Sequence, residues 1–141
     1  MANRMLLDTG FWYAVFNKTD CYNELAESLL EKYFDKPAYE ILVPFPTMYE
    51  LLRTKFIKNK EALRAIKEMF QSGKITRCDD DAYRSCALEL TLNETRRNIS
   101  MVDNIIRLML DDKSIAPKGL ITFNVADFQD VCQKNHIEIL Y

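Results

Sequence analysis

Histidine and glycine are scarce in this 141-residue chain, which holds one His (His136) and three Gly. With a single imidazole, Ser-His-Asp or Cys-His catalysis would have to rest on His136, and a His-rich zinc site lacks its ligands. Three glycines argue against a Gly-rich phosphate loop and against a fold made of tight hairpins. The cysteines Cys21, Cys78, Cys86 and Cys132 form no CxxC pair and read as reduced, mostly buried thiols. No run approaches the ~20 apolar residues of a membrane span. The apolar stretch Met5–Phe16 is broken by Asp8 and has no small-residue cleavage site. These absences predict a soluble, cytoplasmic protein with no membrane partner.

Carboxylates, by contrast, are plentiful: 21 Asp plus Glu against 19 Lys plus Arg, for a net charge of −2. Strong polyanion binders are usually basic overall, so any contact with nucleic acid would have to come from a local basic stripe. The chain is 48% hydrophobic, with no internal repeat and no Gly/Ser linker, which predicts one domain over residues 1–141.

Short apolar runs at Met5–Leu7, Ile41–Val43, Ile75–Thr76, Gly119–Thr122 and Ile137–Leu140 read as buried strands. Pro44 and Pro46 close the second. Between the runs, helical spacing covers Glu24–Phe34, Met48–Phe56, Ala62–Phe70, Asp79–Leu92, Ser100–Leu110 and Val125–Lys134. Tyr83, Cys86 and Leu90 share one helical face and read as core. Fully apolar strands alternating with amphipathic helices predict a three-layer α/β/α domain around a central, mainly parallel sheet.

Four acids stand out by position. Asp8 ends the first strand, before Thr9-Gly10; Glu50, Asp103 and Asp127 each lie three residues after a good helix-capping residue (Thr47, Ser100, Asn124). Taken singly, the last three fit capping boxes or near relatives, with the acid facing the helix dipole. Taken together they point elsewhere. Strand-to-helix junctions of a parallel sheet share its carboxyl edge, where ligands bind at the topological switch point. Carboxylates converging there repel one another and call for a cation. Mg²⁺ or Mn²⁺ suits oxygen-only ligands, and one or two such ions can activate water against a phosphodiester.

The strings MLLDTGFWYAVFNKTDCYNELA, VPFPTMYELL, SMVDNIIRLML and LITFNVADF resemble, in order and spacing, the motifs of PIN-domain endoribonucleases. They are most similar to the VapC-type toxins of toxin–antitoxin pairs. The resemblance implies a PIN-like fold and cleavage of RNA dependent on Mg²⁺ or Mn²⁺, leaving 5′-phosphate and 3′-hydroxyl ends. It also implies homodimerisation and inhibition by an antitoxin protein. By motif position Asp8, Glu50 and Asp103 match the family's metal-holding acids and Asp127 its fourth, more variable one. Thr9, Thr122 and Asn124 match the polar residues beside them. Gly10 stands where Ser or Asn is frequent, and Asn124 where some members carry a further Asp. A housekeeping RNA-processing nuclease, or a non-catalytic PIN-like binding module, would share the fold.

Two further features bear on function. Arg53, Lys55, Lys58 and Lys60 lie in a basic segment beside Glu50, and Arg96 and Arg97 precede Asp103; both are candidate phosphate contacts or simply a solvated surface. Asp8-Thr9-Gly10 also matches the active-site string of dimeric aspartic proteases, but that fold is nearly all β, unlike the helical patterns here. Phe11, Trp12 and Tyr13 are consecutive and cannot all face one way, so core and surface must divide them.

Overall fold

A computed structural model describes residues 2–95 and 97–141. Strand β1 (Asn3–Leu7) lies at the centre of a five-stranded sheet with β2 (Tyr39–Pro44), β3 (Ile75–Cys78), β4 (Gly119–Ile121) and β5 (Glu138–Leu140). The strand order is β3-β2-β1-β4-β5 and every pairing is parallel. Parallel strands need crossovers that cover both faces, which is why Met5, Leu6 and Leu7 are all apolar and all buried.

Successive residues point to opposite faces, so the sheet divides its apolar side chains between two cores. Met5, Leu7, Ile41, Val43, Ile75 and Ile121 face helices α1 (Gly10–Val15), α2 (Asn23–Tyr33), α3 (Phe45–Leu51) and α4 (Lys60–Ser72). Leu6, Leu42 and Leu120 face α5 (Arg84–Leu92), α6 (Met101–Leu110) and α7 (Gln129–Lys134). This is a three-layer α/β/α architecture. Gly119 leaves room for the Met5 side chain of the neighbouring strand: a Cβ there would lie 2.5 Å from the Met5 Cε and would push that flexible thioether aside. Among the described residues no helix is long and apolar enough to cross a membrane.

The strands match the sequence pattern, but several helices differ. Pro44 is the last residue of β2 and Pro46 sits in the first turn of α3, where its missing N–H costs no hydrogen bond. Helix α3 therefore starts at Phe45 and stops at Leu51, instead of running from Met48 to Phe56. The Thr47 hydroxyl donates to the Pro44 carbonyl (2.7 Å) and does not cap the helix. The basic segment after it is a set of turns closed by a single 3₁₀ turn, Phe56–Lys58. Single 3₁₀ turns also precede α5 (Asp81–Tyr83) and α7 (Val125–Asp127), splitting two expected helices.

Side-chain burial brings further corrections. On α5 only Ala87 is fully buried, Leu90 is half-buried and Cys86 is exposed; Tyr83, half-buried, lies in the 3₁₀ turn before the helix. The helix is short and its outer side faces solvent, so apolar spacing overstated its core face. All four cysteines are free; only Cys132 is buried, while Cys21 and Cys86 are exposed. Among the consecutive aromatics, Phe11 and Trp12 are core and Tyr13 is exposed.

Candidate active site

From the central pair of strands the chain leaves in opposite directions: β1 leads to β2 on one side and β4 to β5 on the other. Their carboxyl ends form the switch point of the sheet. Asp8 is the first residue beyond β1, and its backbone N–H donates to the Ile121 carbonyl (3.0 Å). Thr122 is the first residue beyond β4, and its hydroxyl donates to Asp8 Oδ2 (2.8 Å). Asp8 Oδ1 accepts from the Thr9 backbone N–H (2.7 Å). The carboxylate is buried, and burial pushes its pKa up; the bonds from Thr122 and Thr9 oppose that rise, and nearby Glu50 and Asp127 add to it.

Glu50 lies in the last turn of α3 rather than at its start. Helix α3 follows β2, the neighbour of β1, so its far turn comes back over the end of β1. There the Thr9 hydroxyl donates to Glu50 Oε1 (2.7 Å), and the exposed Tyr13 hydroxyl donates to the Glu50 carbonyl (3.3 Å). Asp127 closes the 3₁₀ turn after β4. Asn124 provides no cap here; its side-chain amide donates to Asp127 Oδ2 (2.6 Å), while its backbone N–H donates to Thr122 Oγ1 (3.0 Å).

Asp103 is half-buried in the first turn of α6, whose N-cap Ser100 accepts from the Asp103 N–H (3.1 Å). The expected cap is thus formed at this one of the three acid-plus-three sites. Burial pushes the Asp103 pKa up to about 7, with further contributions from Asp8, Asp127 and Glu50. All four acids therefore share one electrostatic field at the carboxyl edge of the sheet.

Arg107 was not among the residues singled out by the sequence. Its guanidinium donates to the Asp127 carbonyl (2.8 Å) and, through both Nη atoms, to Asp130 (2.7 Å each). It lies four residues after Asp103, one turn further along α6, and that spacing is the signal that could have found it. Asp130, at the start of α7, has its pKa pulled well below the usual carboxylate range by Arg107. The 3₁₀ turn bearing Asp127 is thereby tied to the helix bearing Asp103.

Of the basic candidates, Arg53, Lys55 and Lys58 are exposed on the turns that follow Glu50, and Lys60 is exposed at the start of α4. Arg53 Nε donates back to the Glu50 carbonyl (2.8 Å), and Lys55 helps line a groove with Tyr13 and Phe16. Arg97 pairs with Asp130 at 3.2 Å. Arg96 lies outside the described residues.

The donor chemistry fits a hard divalent cation: carboxylate oxygens only, with the ionised forms of Asp8 and Asp103 disfavoured by burial and by neighbouring carboxylates. The placement is less complete, since among the described residues no three His, Cys, Asp or Glu side chains converge closely enough to hold an ion. Thr9 and Asn124 hold Glu50 and Asp127 by hydrogen bonds of their own.

No protein-family model matches the sequence, and no curated protein matches it. Solved structures do match. VapC20 of Mycobacterium tuberculosis, described as a sarcin-ricin-loop-cleaving toxin, superposes with a TM-score of 0.65 at 20% identity, covering 89% of this chain and 93% of that one. The chain has the VapC-type PIN-domain fold. The same PIN fold is found in VapBC2 of Rickettsia felis, solved with a fragment of promoter DNA (TM-score 0.60, 17% identity, 96% of each chain). It recurs in FitAcB of Neisseria gonorrhoeae (TM-score 0.56, 15% identity, 97% of this chain and 96% of that one). At these identities the likeness is one of fold.

Proposed function

We propose that this PIN-fold chain is a divalent-metal-dependent endoribonuclease, and that it is the toxin of a type II toxin–antitoxin pair acting in the cytoplasm. One observation carries the reading: burial raises the pKa of both Asp8 and Asp103, and the charges of Glu50 and Asp127 add to the rise in each. The likeness to VapC20, described as a sarcin-ricin-loop-cleaving toxin, and to VapBC2 supports it.

Asp8, Asp103, Glu50 and Asp127 would hold Mg²⁺ or Mn²⁺, as one or two ions. When bound, the metal supplies Lewis-acid activation of water and neutralises charge on the phosphate. The chain's own residues do the positioning. Thr122 and Thr9 fix Asp8, Thr9 also orients Glu50, and Asn124 orients Asp127. Arg53, Lys55, Lys58 and Lys60 supply positive charge beside the acids for the phosphate backbone, which those acids would otherwise repel. The antitoxin and a second copy of the chain are the expected protein partners.

The test is cleavage of structured RNA by the purified protein with Mg²⁺ or Mn²⁺ and with EDTA, alongside Asp8→Asn and Asp103→Asn. Cleavage is expected only in the wild type with metal. Cleavage that survives EDTA or either substitution overturns the mechanism. The second reading is a non-catalytic PIN-like module, and the lack of a converging acid trio among the described residues favours it. Titration of the metal-free protein with Mn²⁺ separates the two, because a module whose acids merely face helix ends binds no ion. A toxin is distinguished from a housekeeping nuclease of the same fold by a small adjacent reading frame whose product copurifies with this chain and silences it.

A further inference from the structure

Tyr22 and Phe123 stack with ring centroids 4.5 Å apart and planes within 4° of parallel. Phe123 lies between Thr122 and Asn124, whose side chains hold Asp8 and Asp127. Its ring comes within 4.0 Å of the Cβ position of Gly10, two residues beyond Asp8. The stacked pair therefore borders the acidic site.

Tyr22 is 40% exposed, although one face of its ring rests on Phe123. Its backbone holds it firmly. The Tyr22 N–H donates to Asp20 Oδ1 (2.8 Å), and the buried side chain of Asn23 donates to the Ala14 carbonyl (2.8 Å) at the end of α1. An aromatic ring held at the surface by a buried anchor is pre-organised for a flat ligand.

We propose that Tyr22 and Phe123 form a stacking platform for one nucleobase of the RNA strand whose phosphate meets the acids. This rests on the endoribonuclease reading. Four carboxylates repel a polyanion, and a contact that does not depend on charge adds to what the basic residues offset. Stacking of an unpaired base on an aromatic side chain is such a contact, and it tolerates any base because each has a π face.

The probe is a short, fluorescein-labelled single-stranded RNA pool of randomised sequence, with binding read by anisotropy in EDTA so that no cleavage occurs. Tyr22→Leu keeps apolar contact with Phe123 and removes the flat face; it is expected to weaken binding roughly five- to a hundred-fold. Tyr22→Phe and Tyr22→Trp should stay close to wild type. Stacking releases no counterions, so the ratio of Tyr22→Leu to wild type should be the same at low and moderate salt. Equal affinity of Tyr22→Leu and wild type, a ratio that shrinks with added salt, or no binding by the wild type overturns the platform. Equal RNA affinity with loss of a copurifying protein partner in Tyr22→Leu assigns the ring to a protein contact and likewise overturns it.

Independent of how that variant folds, photocrosslinking of the wild type to the same pool carrying 5-iodouridine should place the adduct on Tyr22 or Phe123. Adducts only elsewhere sink the proposal. Metal-dependent cleavage with unaltered Tyr22→Leu binding would defeat the platform and leave the nuclease reading standing. Ring-dependent binding without any metal-dependent cleavage would do the reverse.

Discussion

Thr122 donates its hydroxyl to the Asp8 carboxylate over 2.8 Å, joining residues 114 positions apart in the chain. The bond crosses from the end of β4 to the end of β1, and both side chains are buried. Thr122→Val keeps the shape and deletes the donor, leaving a buried carboxylate with one fewer partner. The expected cost is about 1–3 kcal/mol of unfolding free energy. Urea denaturation of the two proteins in EDTA checks it, and a change below the error of the method would mean that water takes over the bond.

Asp103 should trade stability for function. It is half-buried, and burial and three other acids all push its pKa up. Asp103→Asn removes the repulsion but keeps the N–H that Ser100 caps. It is expected to abolish cleavage while stabilising the metal-free protein by about 1–3 kcal/mol, solvent screening and the favourable helix-dipole contact of the carboxylate both reducing the gain. Thermal unfolding in EDTA should show a higher midpoint for the variant. A lower one would mean that the carboxylate is stabilising where it stands.

The same residue sets a pH dependence. Its folded pKa of about 7 lies above the unfolded value of ~3.9, so the folded state binds the proton more tightly. Stability of the metal-free protein should therefore rise as pH falls through 7 toward the unfolded value, and decline again once other carboxylates such as Asp130 begin to lose their ion pairs. Denaturant midpoints measured from about pH 8 down to about pH 5 should climb in the wild type. Asp103→Asn should flatten the climb; an equal slope in both proteins would assign it to another group.

Arg107 links the two halves of the acidic site. Replacing it with Ala leaves Asp130 without its bidentate partner and the Asp127 carbonyl without its donor. Because the pair is largely exposed on the Asp130 side, the expected stability loss is modest, about 1 kcal/mol. The effect on cleavage should be larger, since the turn carrying Asp127 loses its tie to α6. Arg107→Lys retains the charge without the fork and is expected to recover stability more fully than rate. Parallel melts and single-turnover cleavage assays separate the two effects.

Much of the architecture could be read from particular residues. Met5-Leu6-Leu7, buried on both faces, required a parallel interior strand, and Asp8 at its end could only emerge at the carboxyl edge. Ser100 capping Asp103 is a local bond between residues three apart, and local spacing predicts it. Thr47 and Asn124 present the same spacing, yet neither caps a helix. Pro46 in the first turn of α3 moves its start ahead of Thr47, and Asn124 spends its amide on the Asp127 carboxylate. A capping pattern records which bonds a residue is able to make; the neighbouring chain decides which one it does make.

The sequence by itself determined the alternation of strands and helices, the burial of both sheet faces, and the presence of acids at junctions between them. These follow from side-chain periodicity and local hydrogen bonding, which extend over a few residues. Only the tertiary structure decided that β1 and β4 are neighbours. That adjacency puts Thr122 on Asp8 and stands Tyr22 against Phe123 beside the acids, while the pairing of β1 with β2 brings Thr9 to Glu50. Strand order is set by how the two cores pack as a whole, and no short window of residues carries it. The raised pKa of Asp103 has the same origin, because burial and the field of distant carboxylates exist only once the chain has folded.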